Sequence, residues 1–134
     1  MIYILDASAL IAYLRGELGG EEVREILANP DHQCLAHAIN LCEVHYDFFR
    51  ASGEAVAKEA LQDLEAAGVV RRADISPAFC EDVGSLKATQ RRISLADCFA
   101  LALAKLCSAT VLTSDRHEFA PIAEQGEYAI RFIR

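Results

Sequence analysis

Short apolar runs of strand length alternate with longer helical patterns along the whole chain, and that alternation limits the fold to few classes. Residues 2–5, 33–36, 69–72, 110–113 and 129–133 read as strands. Between them, residues 6–14, 21–28, 39–51, 54–67, 77–89, 94–107 and 118–125 carry helical patterning. The punctuation agrees with this division. Gly16, Gly19 and Gly20 mark a loop, Asn29-Pro30 stops a helix, and Gly68 suits a helix C-terminus. Proline lacks the amide that a helix needs, and glycine accepts left-handed backbone. Ser76 before Pro77 reads as an N-cap, followed by the residue best tolerated in a first turn. The stretch 94–107 is almost wholly Leu, Ala, Phe and Cys, which predicts a buried helix. Strands separated by helices imply parallel crossovers and a sheet covered on both faces. The class is α/β.

A chain of 134 residues fits one domain over 1–134 and buries roughly two-thirds of its unfolded surface. Hydrophobic residues at 53% and charged residues at 25% exclude disorder, since a disordered chain is poor in the former. No apolar run approaches the ~20 residues of a membrane span, and the start Met1-Ile2-Tyr3 has no basic, signal-like region. Five cysteines without CxxC spacing argue against a disulfide framework and fit a reducing cytoplasm. The formal charge is −7, from 13 Lys+Arg against 20 Asp+Glu. Such a surface does not hold nucleic acid by bulk charge.

The acids become informative once placed on the predicted sheet. The carboxyl ends of parallel strands share an edge with the amino ends of the crossover helices, and open α/β sheets place ligands there. Asp6 ends the first strand, and Asp115 follows the fourth in Thr113-Ser114-Asp115. Glu43 lies near the start of the helix after the second strand, and Asp97 in the first turn of the apolar helix before the fourth. Taken singly, each also reads as a cap or turn residue, and Ser94 with Asp97 approximates a capping box. Taken together, that reading weakens. Asp97 is flanked by Leu95, Ala96, Cys98 and Phe99, and Glu43 by Leu41, Cys42 and Val44, poor surroundings for an unpaired charge. Asp47, one turn after Glu43, adds a like-charge pair that disfavours the helix. Two carboxylates ~4 Å apart repel by about 1 kcal/mol in water and about 4 kcal/mol at an effective dielectric of 20. Four converging acids need a cation. An all-oxygen set suits Mg²⁺ or Mn²⁺, which can activate water and stabilise charge on a phosphoryl group. Phosphodiester hydrolysis is the reaction class this indicates, and composition alone leaves a phosphatase open.

Four segments carry a resemblance when read in order. Ile4-Leu5-Asp6-Ala7-Ser8, Leu41-Cys42-Glu43-Val44, Ser94-Leu95-Ala96-Asp97 and Leu112-Thr113-Ser114-Asp115-Arg116 resemble the PIN-domain ribonucleases, most closely the small VapC-type toxins of toxin–antitoxin modules. The resemblance implies a three-layer domain with a five-stranded parallel sheet and Mg²⁺- or Mn²⁺-dependent cleavage of RNA. It also implies a homodimer and inhibition by a cognate antitoxin. By motif match, Asp6, Glu43, Asp97 and Asp115 are the metal-binding and catalytic acids. Ser8 and Thr113 are helpers that bond to those acids, or plain turn caps. One departure is that Phe119 lies four residues after Asp115, where many relatives place an aromatic at three. Glu118, in that spacing, reads as a helix-start residue with favourable dipole chemistry more readily than as a fifth ligand.

Other constellations compete less well. Cys34-x-x-His37 and Cys42-x-x-His45 look like a zinc set, but one pair lies on a strand and the other on a helix of mixed facing. No Gly-rich nucleotide loop or G-x-S-x-G nucleophile elbow occurs, which disfavours ATP, dinucleotide and serine-hydrolase chemistry. Arg91, Arg92 and Arg116 adjoin the predicted acidic edge in sequence and are candidate contacts to an RNA backbone. Apolar residues around 11–13 and 46–49 exceed what one core buries and suit a dimer or a partner helix. Two further readings stay open: a PIN-like interaction module without turnover, and a Mg²⁺-dependent phosphatase of the haloacid-dehalogenase type. The latter lacks a second Asp two residues after Asp6.

Overall fold

The computed structural model describes all 134 residues. The elements run β1 (Ile2–Leu5), α1 (Ala7–Arg15), α2 (Gly20–Ala28), β2 (Gln33–His37), α3 (Ala38–Ser52), α4 (Glu54–Ala66), β3 (Val69–Arg72), α5 (Pro77–Thr89), α6 (Leu95–Cys107), β4 (Thr110–Thr113), α7 (Arg116–Gln125) and β5 (Ile130–Phe132). The five strands form one parallel sheet in the order β3-β2-β1-β4-β5.

Period-two alternation in the strands decides which face each side chain serves. Tyr3, Leu5, Cys34, Ala36 and Leu112 belong to the core beneath α1–α4. Ile4, Leu35 and Val111 belong to the core beneath α5–α7, with Leu101 and Phe119 fully enclosed there. Helix α6 is apolar on nearly every side and is buried from Cys98 to Ala104 apart from half-buried Phe99. Cutting Leu101 back to Ala would cost about 2–5 kcal/mol.

The crossovers change face at the centre of the sheet. From β1 the chain winds outward through β2 to β3, then returns to β4 on the other side of β1 and ends at β5. The β1–β4 pair is therefore the topological switch point, and its carboxyl end is the crevice in which such sheets bind ligands. Register there is tight: Leu5 pairs with Leu112, and the Asp6 amide donates to the Leu112 carbonyl at 3.2 Å.

Element ends shift by a few residues from the expectation, each for a local reason. Helix α7 starts at Arg116 rather than 118, because the Asp115 side chain caps it through the Glu118 amide. Strand β2 continues to His37, whose Nδ1 accepts from the Ile39 amide at 3.1 Å and starts α3 one residue early. Helix α2 begins at Gly20, where a Cβ would collide with the Ala12 carbonyl of α1. No helix is long and apolar enough to cross a membrane, and all five cysteines are free thiols.

Candidate metal centre

Asp6 is held most firmly of the acids. Its Oδ1 accepts from the Ser8 hydroxyl at 2.7 Å and from the Ala9 amide at 2.9 Å, and its Oδ2 accepts from the Thr113 hydroxyl at 2.5 Å. Each hydroxyl has one proton, and both protons point to Asp6. The same two oxygens then accept from the far loop: Ser8 from the Ser114 amide at 2.9 Å, and Thr113 from the Asp115 amide at 3.0 Å. Ser8 and Thr113 thus rivet the loop after β1 to the loop after β4. Burial still wins over these bonds and pushes the Asp6 carboxyl up to about 6, with the Asp115 charge adding to the rise.

The remaining acids gather around that rivet. Asp97 is the third residue of α6, placed there by the Ser94 cap, whose Oγ accepts from the Asp97 amide. Asp97, Asp115 and Glu118 each bring an oxygen within 4.8 Å of the others. Burial raises the Asp97 pKa strongly, and the close Glu118 carboxyl and the charges of Asp6 and Glu43 raise it further. Glu43, in the second turn of α3, is raised by burial, against the lowering effect of the Asn40 side chain, and raised further by Asp6 and Glu118. Five acids, from the end of β1 and from the amino-terminal turns of α3, α6 and α7, therefore share one field. Glu118 is the member that sequence reasoning set aside. Its signal was present: a residue three after a capping Asp lies in the first turn and on the capped side.

No acid in the cluster has a cationic partner. The five ion pairs of the molecule involve other carboxylates. Asp47, the like-charged neighbour of Glu43, is taken by Arg15 of α1 at 2.7 Å, so it is neutralised apart from the site. Three buried acceptors on α3 lack a hydrogen-bond donor, Glu43 Oε1, Asn40 Oδ1 and Asp47 Oδ2, and of these only Asp47 has a cation beside it. The Asn40 Nδ2 donates across to the Ala96 carbonyl at 3.2 Å, tying α3 to the start of α6. Unpaired buried acceptors beside clustered carboxylates fit a hard divalent cation and its waters. The donor set is oxygen throughout, as Mg²⁺ or Mn²⁺ requires.

The zinc reading fails on geometry. Both His37 nitrogens serve backbone groups, Nδ1 the Ile39 amide and Nε2 the Asp74 carbonyl at 3.0 Å, and its ring stacks on Phe79. Cys34 is buried on β2 while Cys42 is exposed on α3. Arg116 is also engaged: its Nε donates to the Arg134 carbonyl at 2.7 Å and its guanidinium lies over the Phe132 ring. Arg91 and Arg92 are exposed, on the α5–α6 loop, and line a groove that Glu118 also lines.

Comparison with known proteins places this arrangement. A family model described as PIN domain matches residues 3–125, and the chain belongs to the PIN-domain family. Its fold is shared with solved structures of low sequence identity. A chain of the VapBC2 complex from Rickettsia felis, bound to a promoter DNA fragment, superposes with a TM-score of 0.75 at 18% identity, covering 98% of both chains. A chain of DNA-bound VapBC from Salmonella typhimurium gives 0.75 at 15% identity over 100% of this chain and 99% of that one. A toxin–antitoxin complex from Klebsiella pneumoniae gives 0.72 at 21% identity over 98% of each. No curated protein matches the sequence.

Proposed function

We propose that the chain is a metal-dependent endoribonuclease and the toxin of a toxin–antitoxin pair. The observation that carries this reading is the convergence of Asp6, Glu43, Asp97, Asp115 and Glu118 at the switch point without one cationic partner. Asp6, Glu43, Asp97 and Asp115 are the residues that would hold Mg²⁺ or Mn²⁺, with Glu118 beside them. A bound ion there supplies Lewis-acid stabilisation of a phosphoryl oxygen and a more acidic water.

The chain's own residues do the rest. Ser8 and Thr113 fix the two oxygens of Asp6, so its orientation is set before any ligand arrives. Burial raises the affinity of Asp6 and Asp97 for protons in the metal-free chain, so a cation binding here would displace protons from them. Shared fold with toxin–antitoxin complexes supports an antitoxin partner, and the acidic edge suits a forked arginine from it. Exposed Tyr46 and Phe49 on α3 suit an apolar helix of that partner or a second copy of the chain. Five free thiols fit a reducing, cytoplasmic setting.

The test is cleavage of a structured RNA by purified protein in Mg²⁺, in Mn²⁺ and in EDTA. Cutting is expected in either metal, with none in EDTA or after Asp6→Asn or Asp115→Asn. RNA left intact in both metals would favour a PIN-like module that binds without turnover. Hydrolysis of a phosphomonoester in place of RNA would favour the phosphatase.

A further inference from the structure

We infer that the α5–α6 loop forms a phosphate subsite for a single-stranded RNA segment next to the scissile bond, with Arg91 and Arg92 as its contacts; this rests on the nuclease reading. Ten arginines are present, and most are committed elsewhere. Arg15, Arg24, Arg72, Arg131 and Arg134 pair with acids. Arg50 lies over Tyr46, and Arg116 over Phe132. Arg71, Arg91 and Arg92 have neither an acidic nor an aromatic partner. In a chain of net charge −7, adjacent guanidiniums left free beside an acidic cluster are otherwise unexplained.

The loop that carries them is built rather than slack. Lys87 Nζ donates to the Ile93 carbonyl at 2.8 Å and to the Arg91 carbonyl at 3.3 Å. The Gln90 amide closes onto Leu86 at 2.7 Å, and the Ile93 amide onto Gln90 at 3.2 Å. Gln90 and Gln125 exchange side-chain amide bonds at 2.9 and 3.2 Å, fastening the loop to the end of α7. Ile93 is buried beneath. This scaffold consumes the loop's carbonyls and the lysine charge and leaves both guanidinium forks free.

The groove joins that rim to the acids. It is lined by Arg91, Arg92, Ile93, Glu118 and Pro121 and encloses about 230 Å³. No ion pair links either arginine to Glu118, so neither charge is spent on the cluster. A phosphodiester strand lying in this groove passes both guanidiniums on its way to Glu118. The groove is far smaller than the surface needed to read a duplex by shape, which spans ~16 base pairs. Guanidinium forks match phosphate oxygens, and positive grooves that track the backbone are how single strands are held.

The test is anisotropy of a fluorescein-labelled single-stranded RNA in EDTA, where nothing is cut, at salt between about 50 and 200 mM. Arg91→Ala/Arg92→Ala should weaken binding about tenfold and flatten the salt slope by about 1.4, the value for two single-strand phosphate contacts. Arg71→Ala removes an equally free charge on β3 and should leave binding within twofold. The subsite is wrong if the double variant binds like wild type, if Arg71→Ala weakens binding as much, or if wild type shows no salt-sensitive binding. Thermal stabilisation by Mn²⁺ separates the two levels. It should be equal in wild type and the double variant, and its absence in wild type would sink the metal-nuclease reading while the anisotropy result stands by itself.

Discussion

Acids elsewhere on the molecule and acids at the strand ends are treated in opposite ways. Glu17, Glu21, Glu22, Asp47 and Asp74 each face an arginine, at 2.5 to 3.5 Å. Asp6, Glu43, Asp97, Asp115 and Glu118 face one another instead. In the first group Glu21 is exposed and the other four are half-buried; each is neutralised by its arginine, and pairs near the surface are worth about 0–1 kcal/mol. The second is partly or wholly buried, and its repulsion opposes folding of the metal-free chain. Residues of one chemical type thus serve the fold in one place and burden it in another. A cluster that lowers stability, riveted in place by Ser8 and Thr113, is the arrangement expected of a ligand site rather than of a core.

The largest effect expected from breaking this contrast is on catalysis. Asp97→Asn removes a carboxylate from the cluster while keeping its shape. Losing several kcal/mol of charge stabilisation corresponds to a drop of roughly 10³-fold in metal-dependent RNA cleavage, read from initial rates at the Mn²⁺ concentration that saturates wild type. Glu22→Gln, on a paired acid, should leave that rate unchanged.

Metal binding should next reverse the burden on stability. A ligand that binds only the folded chain at about 100 times its Kd stabilises it by about 2.7 kcal/mol, or roughly 10 °C for a domain of this size. A Mn²⁺ titration followed by thermal melting checks this, and Asp97→Asn should abolish the rise. The same variant should melt higher than wild type in EDTA, because a neutral amide needs neither a buried charge nor an extra proton at that position.

The pH dependence of the metal-free chain has a defined sign. Asp6 holds its proton more tightly folded than unfolded, with a carboxyl raised from 3.8 to about 6. Its contribution is fully present below pH 3.8 and is lost as pH rises through about 6, because the folded state then binds the extra proton no longer. Asp97 and Glu43 shift in the same direction. Urea denaturation in EDTA should therefore show Asp6 favouring stability at pH 5 over pH 7 by about 1.4 kcal/mol, the part of its two-unit shift that falls in that window. Millimolar Mn²⁺ should flatten or invert that trend.

A smaller effect sharpens the contrast from the supporting side. Thr113→Val deletes the hydroxyl that bonds Asp6 and receives the Asp115 amide. About 1–3 kcal/mol of stability should be lost, since two buried groups are left without a partner. Glu22→Gln, breaking the exposed pair with Arg131, should cost at most about 1 kcal/mol.

Much of this was legible in the sequence because it depends on periodicity and order. Alternation of strand and helix patterns gave the parallel sheet, and the position of Asp6, Glu43, Asp97 and Asp115 relative to those elements put them at one edge. The parts that stayed hidden depend on side-chain partners across long sequence separations. That Arg15 neutralises Asp47, that Arg116 turns to the Arg134 carbonyl, and that His37 caps α3 while bonding Asp74 are tertiary choices with no local signature. Glu118 is intermediate. Its helix-start chemistry was visible, but its place in the cluster depends on α7 beginning two residues before the expected start, at Arg116, which only the Asp115 cap decides.

The most direct test of the central claim is calorimetric titration of Mn²⁺ into the purified protein near pH 6, repeated in two buffers of different ionisation enthalpy. Carboxyls with raised proton affinity must give up protons when a cation displaces them. Wild type should show saturable binding with net proton release, and Asp97→Asn neither binding nor release. Saturable binding that persists unchanged in Asp97→Asn, or no binding to wild type at millimolar Mn²⁺, would contradict it.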